Sequence, residues 1–297
     1  MSINLSRRTL IIAGASMAPL ALSAAAFSLS LPDLTESPTV GLQLHAMGQN
    51  ALLDPDYTFS NIAEAGYREV ELLSFAKGTP RSIRDALSRH GLKARSAHAL
   101  YENRDGPNFG QGLGQLVDYS HLTGVEYVVA SVYDVPAHLV GREPGENKQA
   151  YLSRVAHRMT AEDWKLYADT LNKKGAMLIR HGLKMGHHNH YFEFKTLLNG
   201  ECGYDILVRE TDPALVTFQL DEGWVAAVGH DPLRLLRQYQ GRFSLMHMRH
   251  GLGRDVSNAA VSERGDATKV AWESFTKMAK KAGVTNYYTA VGGVIHA

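Results

Sequence analysis

The sequence predicts an α/β protein of the (β/α)8 TIM-barrel class, on three observations. Eight short β-like runs follow one another from residue 39 onward, helical patterns lie between them, and no linker or shift in composition divides residues 39–297. Strands that alternate with helices form right-handed βαβ units around a parallel sheet. Eight such units in about 260 residues suit a closed barrel better than an open sheet. We therefore expect one barrel domain over 39–297.

The strands are predicted from short apolar runs that are bounded by turn residues. In chain order they are residues 40–46, 69–75, 93–100, 126–132, 183–190, 215–221, 243–248 and 286–291. Each is of ordinary strand length.

The helices are predicted from apolar positions at helical spacing. In chain order they are residues 57–65, 80–90, 109–123, 160–181, 204–210, 232–239 and 269–281. The longest has both ends marked, because Thr160 is a candidate N-cap with Asp163 at the capping-box position, and Gly182 follows the last turn. The polar segment 136–148 is expected to be a loop over the active face. Only residues 292–297 follow the last strand, so either the helix that closes such a barrel is missing or the strand count is off by one.

Composition excludes some classes of function. The 297 residues are 44% hydrophobic and 21% charged, which is typical of a globular domain with one large core. The formal net charge is +1, so no nucleic-acid partner is expected. The single cysteine, Cys202, cannot form an intramolecular disulfide.

Residues 1–26 have the features of an export signal. Arg7 and Arg8 form a pair, residues 10–22 are an apolar run, and small residues offer a cleavage site after Ala26. The alternative is a membrane anchor, but the run is short, whereas a span needs about 20 apolar residues. We expect twin-arginine export to the periplasm or another extracytoplasmic space, a linker over 27–38, and no stable membrane span after cleavage.

Histidines and carboxylates gather where the predicted strands end, which is the functional face of such a barrel. The polar residues at these ends are Gln43, His45, Glu71, His98, Tyr133, Asp134, His188, His190, Asp221, Glu222, His247, Arg249 and His250. Neutral imidazole and carboxylate together suit Mn, Fe, Co or Zn. In the densest group, strand alternation places His188 and His190 on one side and His187 on the other, so His187 is expected to be structural.

Several motifs recur in one order along the chain. They are GLQL at 41–44, AGYREVEL at 65–72, HNHYFEF at 188–194, YDIL at 204–207, TDPALV at 211–216 and QLD at 219–221. As an ordered set they resemble the sugar phosphate isomerase/epimerase group of the xylose isomerase-like TIM barrels. The resemblance covers nearly all of residues 39–288.

The resemblance implies a divalent metal (Mn, Zn, Co or Mg) held by side chains of the later strands. By motif, the ligands would be His188, Asp221 and His247, with His190 as the competing choice on the fifth strand. Glu71 stands where relatives carry a glutamate that faces the substrate. We take Glu71 and His190 as candidate catalytic residues.

The chain also departs from the pattern of these relatives. Ala290 stands where the eighth strand is expected to carry a metal-ligating, proton-moving glutamate. On the seventh strand, Arg249 and His250 follow His247 where lysine and aspartate are expected. A site that loses one ligand of four can still bind a metal, but more weakly.

His45, His98 and Trp224 are candidate substrate-binding residues, because they stand at or near strand ends where a sugar would lie. A structural role for each of the three stays open. Two further alternatives stay open: Asp221 could cap a following turn, and Glu71 could pair with Arg95. Glu193 is expected to be a solvated loop residue.

The favoured function is an exported, metal-dependent sugar isomerase or epimerase that abstracts a proton next to a carbonyl. Export argues against a phosphorylated substrate. Alternatives are a catalytically impaired barrel that only binds sugar, and a lyase or hydrolase that acts on 3-keto-glycosides by elimination from the same intermediate. Phosphodiester cleavage is a weaker alternative, since the charge is near neutral. The sequence leaves the oligomeric state open.

Overall fold

The structure is a computed structural model that describes residues 39–48, 51–73, 79–101, 107–110, 112–198, 200–249 and 272–290. Within them, eight parallel strands pair in chain order and close into a barrel, with β8 hydrogen-bonded to β1. The predicted (β/α)8 class is confirmed. The predicted export signal, the linker, His250 and the residues after Ala290 lie outside the described residues, so the expectations about them stay predictions.

The strands agree in number and order with the prediction. They are β1 Val40–Gln43, β2 Glu69–Leu72, β3 Lys93–Ala99, β4 Tyr127–Ala130, β5 Lys184–His188, β6 Val216–Asp221, β7 Phe243–Met248 and β8 Asn286–Thr289. Most end one to three residues before the predicted position, because the last polar residues bend away into loops. His45 therefore lies in a 3-10 turn after β1, and His190 lies in the loop after β5.

Helices surround this barrel. They are α1 Pro55–Glu64, α2 Pro80–Arg89, α3 Leu113–Thr123, α4 Lys148–Arg158, α5 Ala161–Ile179, α6 Gly203–Glu210, α7 Glu222–Ala227, α8 Pro232–Gln238 and α9 Trp272–Ala282. The capping box of α5 is confirmed, with Thr160 and Asp163 each accepting from the other's backbone N–H. Helices α4 and α7 were not predicted from the sequence. Helix α7 has only six residues, too short for a periodic pattern to reveal.

The apolar core has two parts. The larger cluster fills the space between the sheet and the helices, and a small one inside the barrel consists of Tyr127, Val129, Leu245 and Tyr288. Glycine makes room there, because a Cβ at Gly41 would lie 2.7 Å from the Tyr288 ring. This inner cluster fills the barrel beneath the polar residues at the carboxyl ends of the strands.

Two register irregularities lie at the functional end of the barrel. The β2–β3 pairing shifts between Val70 and Glu71, and the β6–β7 pairing shifts between Phe218 and Gln219. Such irregularities change the direction in which a side chain points. Here they bring the Glu71 and Gln219 side chains together, with 2.6 Å between Gln219 Nε2 and Glu71 Oε1.

Candidate active site

Five strands bring together the buried residues Glu71, His98, His188, Asp221 and His247, which come from β2, β3, β5, β6 and β7. The rings of His98 and His188 are 4.9 Å apart, and those of His188 and His247 are 4.7 Å apart. None of the five side chains is more than a few per cent exposed. The parallel barrel therefore collects polar groups that are up to 176 residues apart in sequence.

Glu71 is surrounded by hydrogen-bond donors. Ser96 Oγ and Gln219 Nε2 each donate to Oε1 at 2.6 Å. His247 Nε2 hydrogen-bonds to Oε2, and His98 Nε2 lies 3.3 Å from the same oxygen. Burial by itself would raise the pKa of Glu71, but the two histidines outweigh it and lower the pKa to about 2. Glu71 thus stays ionised and directs neighbouring side chains.

The alternative that Glu71 pairs with Arg95 is wrong. Arg95 Nη1 instead donates to Glu126 at 2.6 Å, and its Nε lies 3.6 Å from Glu69. Glu69 and Glu71 share one face of β2, but Glu69 lies at the start of the strand, where Tyr288 Oη donates to it at 2.9 Å. Arg95 reaches that end of the strand, whereas Glu71 lies farther along and meets Ser96.

His247 is the imidazole most favoured to carry a proton. Burial acts to lower its pKa, but the charges of Glu71 and Asp221 outweigh burial, so the pKa is raised above its usual value. His98 and His188 have lowered pKa values, chiefly because they are buried. The site therefore combines neutral imidazoles with one that retains its proton more easily.

Asp221 has two structural tasks. Its Oδ1 accepts the Trp224 backbone N–H at 3.1 Å and caps α7, so the capping alternative is confirmed. Its Oδ2 accepts from Arg249 Nε at 2.6 Å. Burial would raise the Asp221 pKa, but Arg249 and His247 outweigh burial and lower it. Asp221 is thus ionised at the centre of the site, with its oxygens divided between the helix and the cluster.

The donor set fits a metal ion. His98, His188 and His247 are a buried group whose ligand atoms lie within 4.8 Å of one another, and they can hold a metal. His247 Nδ1 is buried without a hydrogen-bond partner in the described structure. Asp221 Oδ2 lies 3.7 Å from it and 3.8 Å from His188 Nε2. These separations are too long for hydrogen bonds but suit atoms that share an ion.

The three predicted ligands therefore lie together, and His98, predicted to bind substrate, adjoins them. Arg249 opposes a bound cation, because its guanidinium already contacts Asp221. Ala290, directly after β8, is buried and has no side-chain atom that could bind an ion.

The other predicted residues form the rim. The His190 ring is stacked on Phe192, with centroids 5.0 Å apart, and lies 5.8 Å from the Trp224 ring. The Arg249 guanidinium lies 4.9 Å from the centre of the Trp224 ring. Burial lowers the pKa of His45, and so do the charges of Arg249 and His247.

Glu222 is a rim carboxyl for which the sequence suggested no role. Its Oε1 accepts the Arg249 backbone N–H at 2.6 Å. Burial, aided by the nearby charge of Asp221, raises its pKa to about 8. A group with this pKa exchanges its proton near neutral pH. Its position at the end of β6 was visible in the sequence, but its burial was not.

His187 and Glu193 lie on the outer side of β5, away from the site. His187 contacts the Tyr167 hydroxyl at 3.2 Å and the Phe218 ring, so its predicted structural role is confirmed. Glu193 is fully buried, and the expectation of a solvated loop residue is wrong. Its Oε2 accepts the His190 backbone N–H at 2.9 Å, and burial raises its pKa to about 8. Glu193 thus stabilises the conformation of the loop that contains His190.

The chain has relatives among proteins of known activity. No family model matches it. It is 25% identical to the inosose dehydratase of Geobacillus kaustophilus over 197 residues, which are 65% of this chain and 61% of that protein. It is 32% identical to an inosose dehydratase of Clostridium perfringens over 105 residues, which are 35% of this chain and 33% of that protein. Each match spans less than two thirds of the relative's length.

The chain also shares its fold with solved structures. A sugar phosphate isomerase/epimerase from Parabacteroides distasonis superposes with a TM-score of 0.66 at 21% identity, covering 92% of this chain and 91% of that one. At this identity the likeness shows the fold, and the predicted resemblance to xylose isomerase-like barrels is confirmed at that level. Among the described residues, no helix is long and apolar enough to cross a membrane.

Proposed function

We propose that this xylose isomerase-like barrel is an enzyme that abstracts a proton next to the carbonyl of a sugar ketone or a keto-cyclitol. The observation that carries the proposal is the buried cluster of carboxylates and imidazoles at the mouth of the barrel. Isomerisation, epimerisation and elimination can all follow this step. The inosose dehydratase relatives favour elimination of water as one outcome.

The metal ligands in this proposal are His188, Asp221 and His247. A divalent ion such as Mn²⁺ or Zn²⁺, when bound, supplies Lewis acidity toward the substrate carbonyl. Glu71 holds the His247 ring through its Nε2, which leaves Nδ1 directed toward Asp221. This is the arrangement by which a carboxylate orients a ligating histidine. Glu71 was predicted to face substrate, and its enclosed position favours a positioning role instead.

Two rim groups are proposed to move protons. His190 Nδ1 has no hydrogen-bond partner among the described residues, and burial lowers the pKa of the ring to about 3, so the ring is a neutral acceptor. Glu222, with a pKa of about 8, can donate or accept near neutral pH. Groups whose environments separate their pKa values in this way are suited to acid and base roles.

The test is exchange of substrate α-protons for deuterium in D2O, on a panel of keto-sugars, inososes and 3-keto-glycosides. Product analysis separates isomerisation and epimerisation from loss of water. We expect Glu222→Gln and His190→Gln to lower the exchange rate by about 10² or more. Glu162→Gln, at an exposed position in α5, is the matched control and should leave the rate unchanged. Absence of exchange on every substrate, with metal supplied, would reject the proposal.

A second candidate is a barrel that binds sugar without turning it over. Ala290 in place of the expected glutamate and the contact of Arg249 with Asp221 favour it. Ala290→Glu separates the two functions. Exchange by the unmodified chain rules out the inert barrel, whereas exchange that appears only in Ala290→Glu supports it.

We also propose that the protein is exported, on the sequence features of residues 1–26. Cell fractionation of the tagged full chain tests this, with Arg7→Lys and Arg8→Lys combined as the comparison. Export predicts that the double variant accumulates inside the cell. Equal distribution of the two chains would contradict twin-arginine export.

A further inference from the structure

We propose that Gln219 is a positioning residue that sets the tautomers of His98 and His188, so that His188 alone of the two presents a lone pair to Asp221. This inference concerns the same site as the proposed function. It rests on that function only where a catalytic role for the tautomers is concerned. It concerns which nitrogen atoms carry protons, and this can be measured without turnover. Gln219 is fully buried on β6, two residues before Asp221.

The orientation of the Gln219 amide follows from Glu71. Gln219 Nε2 lies 2.6 Å from Glu71 Oε1, which also accepts from Ser96 Oγ at 2.6 Å. Carboxylate oxygens accept hydrogen bonds, so the amide group that faces Glu71 must be the NH2. The β6–β7 register shift lies directly before Gln219. Because the NH2 faces Glu71, the amide oxygen is turned toward the imidazoles.

The amide oxygen then determines which imidazole nitrogens carry hydrogen. Gln219 Oε1 lies 2.7 Å from His98 Nε2 and 3.0 Å from His188 Nδ1. An amide oxygen only accepts, so both nitrogens must be N–H donors. A neutral imidazole has one N–H, which leaves the lone pairs on His98 Nδ1 and His188 Nε2. One amide group thus gives the two rings opposite tautomers.

The two lone pairs face different partners. His98 Nδ1 faces the amide nitrogen of Gln43 at 3.5 Å, on the β1 side of the barrel. His188 Nε2 faces Asp221 Oδ2 at 3.8 Å. Although His98, His188 and His247 lie close enough to share an ion, the free lone pair of His98 points away from the other two toward Gln43. The hydrogen bonds therefore exclude His98 from the ligand set and retain His188.

The direct test is nitrogen NMR of metal-free protein labelled with ¹⁵N-histidine, with His98→Gln and His188→Gln used to assign the signals. We expect an Nδ1–H tautomer for His188 and an Nε2–H tautomer for His98. In Gln219→Met, a side chain of similar length without hydrogen-bonding groups, His188 should become a mixture of tautomers. Gln238→Met, at an exposed site in α8, is the matched control and should leave both signals unchanged. An Nε2–H tautomer for His188 in the unmodified protein would overturn the inference.

Zn²⁺ titration by calorimetry supplies a second readout. We expect Gln219→Met to weaken Zn²⁺ binding by about 10- to 100-fold, as is typical when the partner of a ligating histidine is lost. His188→Gln should abolish binding, and His98→Gln should change the dissociation constant by less than about fivefold. Loss of binding in His98→Gln would overturn the exclusion of His98.

The two proposals can fail separately. If the unmodified protein binds no Zn²⁺, the metal part of the proposed function fails, while the tautomers still decide the role of Gln219. If Gln219→Met does not fold, as judged by circular dichroism, the tautomers of the unmodified chain and the His98→Gln titration decide it.

Discussion

Arg249 places a guanidinium beside the proposed metal ligands. Its side chain is 11% exposed, and its Nε donates to the same Asp221 oxygen that faces His188 and His247. The guanidinium also lies over the Trp224 ring. The Arg249 guanidinium therefore stabilises the ionised Asp221 carboxylate and would compete with a metal ion for the same oxygen.

We therefore predict that Arg249→Gln tightens Mn²⁺ binding by about tenfold or more, because Asp221 Oδ2 becomes available and a like charge is removed. Isothermal calorimetry measures the effect. Arg237→Gln, which breaks only a surface pair with Asp231, is the control and should leave the affinity unchanged. Unchanged or weaker binding by Arg249→Gln would show that the guanidinium does not compete with the ion.

At the scale of single elements, Glu193 ties the loop after β5 to the core. Its Oε1 has no hydrogen-bond partner in the described structure and lies 3.9 Å from His187 Nε2, which also lacks one. Burial raises the Glu193 pKa from 4.5 to about 8. The folded chain therefore binds this proton more tightly than the unfolded chain, and stability falls as the pH rises from about 4.5 to about 8.

Glu193→Gln is expected to remove this dependence. The amide oxygen can still accept the His190 N–H, and the amide nitrogen can donate toward His187 Nε2. The variant and the parent should have similar stability near pH 5, and by pH 8 the variant should be more stable by roughly 2–4 kcal/mol. Urea unfolding at a series of pH values measures the difference. Glu162→Gln, at an exposed position, is the control, and its difference from the parent should not grow with pH. The same result for Glu193→Gln would mean that Glu193 is not protonated in the folded chain.

Two helical glycines give a matched test of how the helices pack on the barrel. A Cβ at Gly175 in α5 would lie 2.4 Å from the Leu215 carbonyl oxygen, next to β6, whereas a Cβ at Gly114 in α3 meets nothing within 4 Å. Gly175→Ala should cost about 1–3 kcal/mol because backbone must move. Gly114→Ala should stabilise by up to about 1 kcal/mol through helix propensity. Chemical denaturation compares them, and equal effects would contradict this packing of α5.

At the scale of the whole molecule, the residues of the site come from five of the eight strands, which are β2, β3, β5, β6 and β7. A ligand at the site would therefore contact more than half of the strands. A ligand that binds the folded chain alone stabilises it by about 2.7 kcal/mol at 100 times its dissociation constant. We predict that saturating Mn²⁺ raises the thermal unfolding midpoint by about 5 °C or more and that EDTA reverses the shift. Asp221→Asn should remove the shift, and Asp231→Asn, at an exposed cap of α8, should retain it. A shift that persists in Asp221→Asn would place the ion elsewhere.

Sequence patterns predicted the barrel well, because its strands are short apolar runs bounded by glycine and polar residues. They also placed His188, Asp221 and His247 at strand ends, where parallel strands bring side chains together. Helix α7 was missed because it is a single short segment, although Asp221 was recognised as a possible cap. Glu193 was misplaced because nothing in its local sequence shows that the surrounding aromatic residues bury it.

Sequence patterns were enough to predict the fold class, the side of the barrel that carries polar side chains, and the residue types available there. Strand periodicity and local capping depend on neighbours in the chain, so they can be seen in the sequence. The hydrogen bonds of Gln219 and Ser96 to Glu71, the contact of Arg249 with Asp221, and the place of His98 in the cluster became visible only in the folded chain. These relations depend on register shifts and on burial, which arise from contacts between residues distant in sequence. Electrostatic environment therefore could not be predicted from the same patterns.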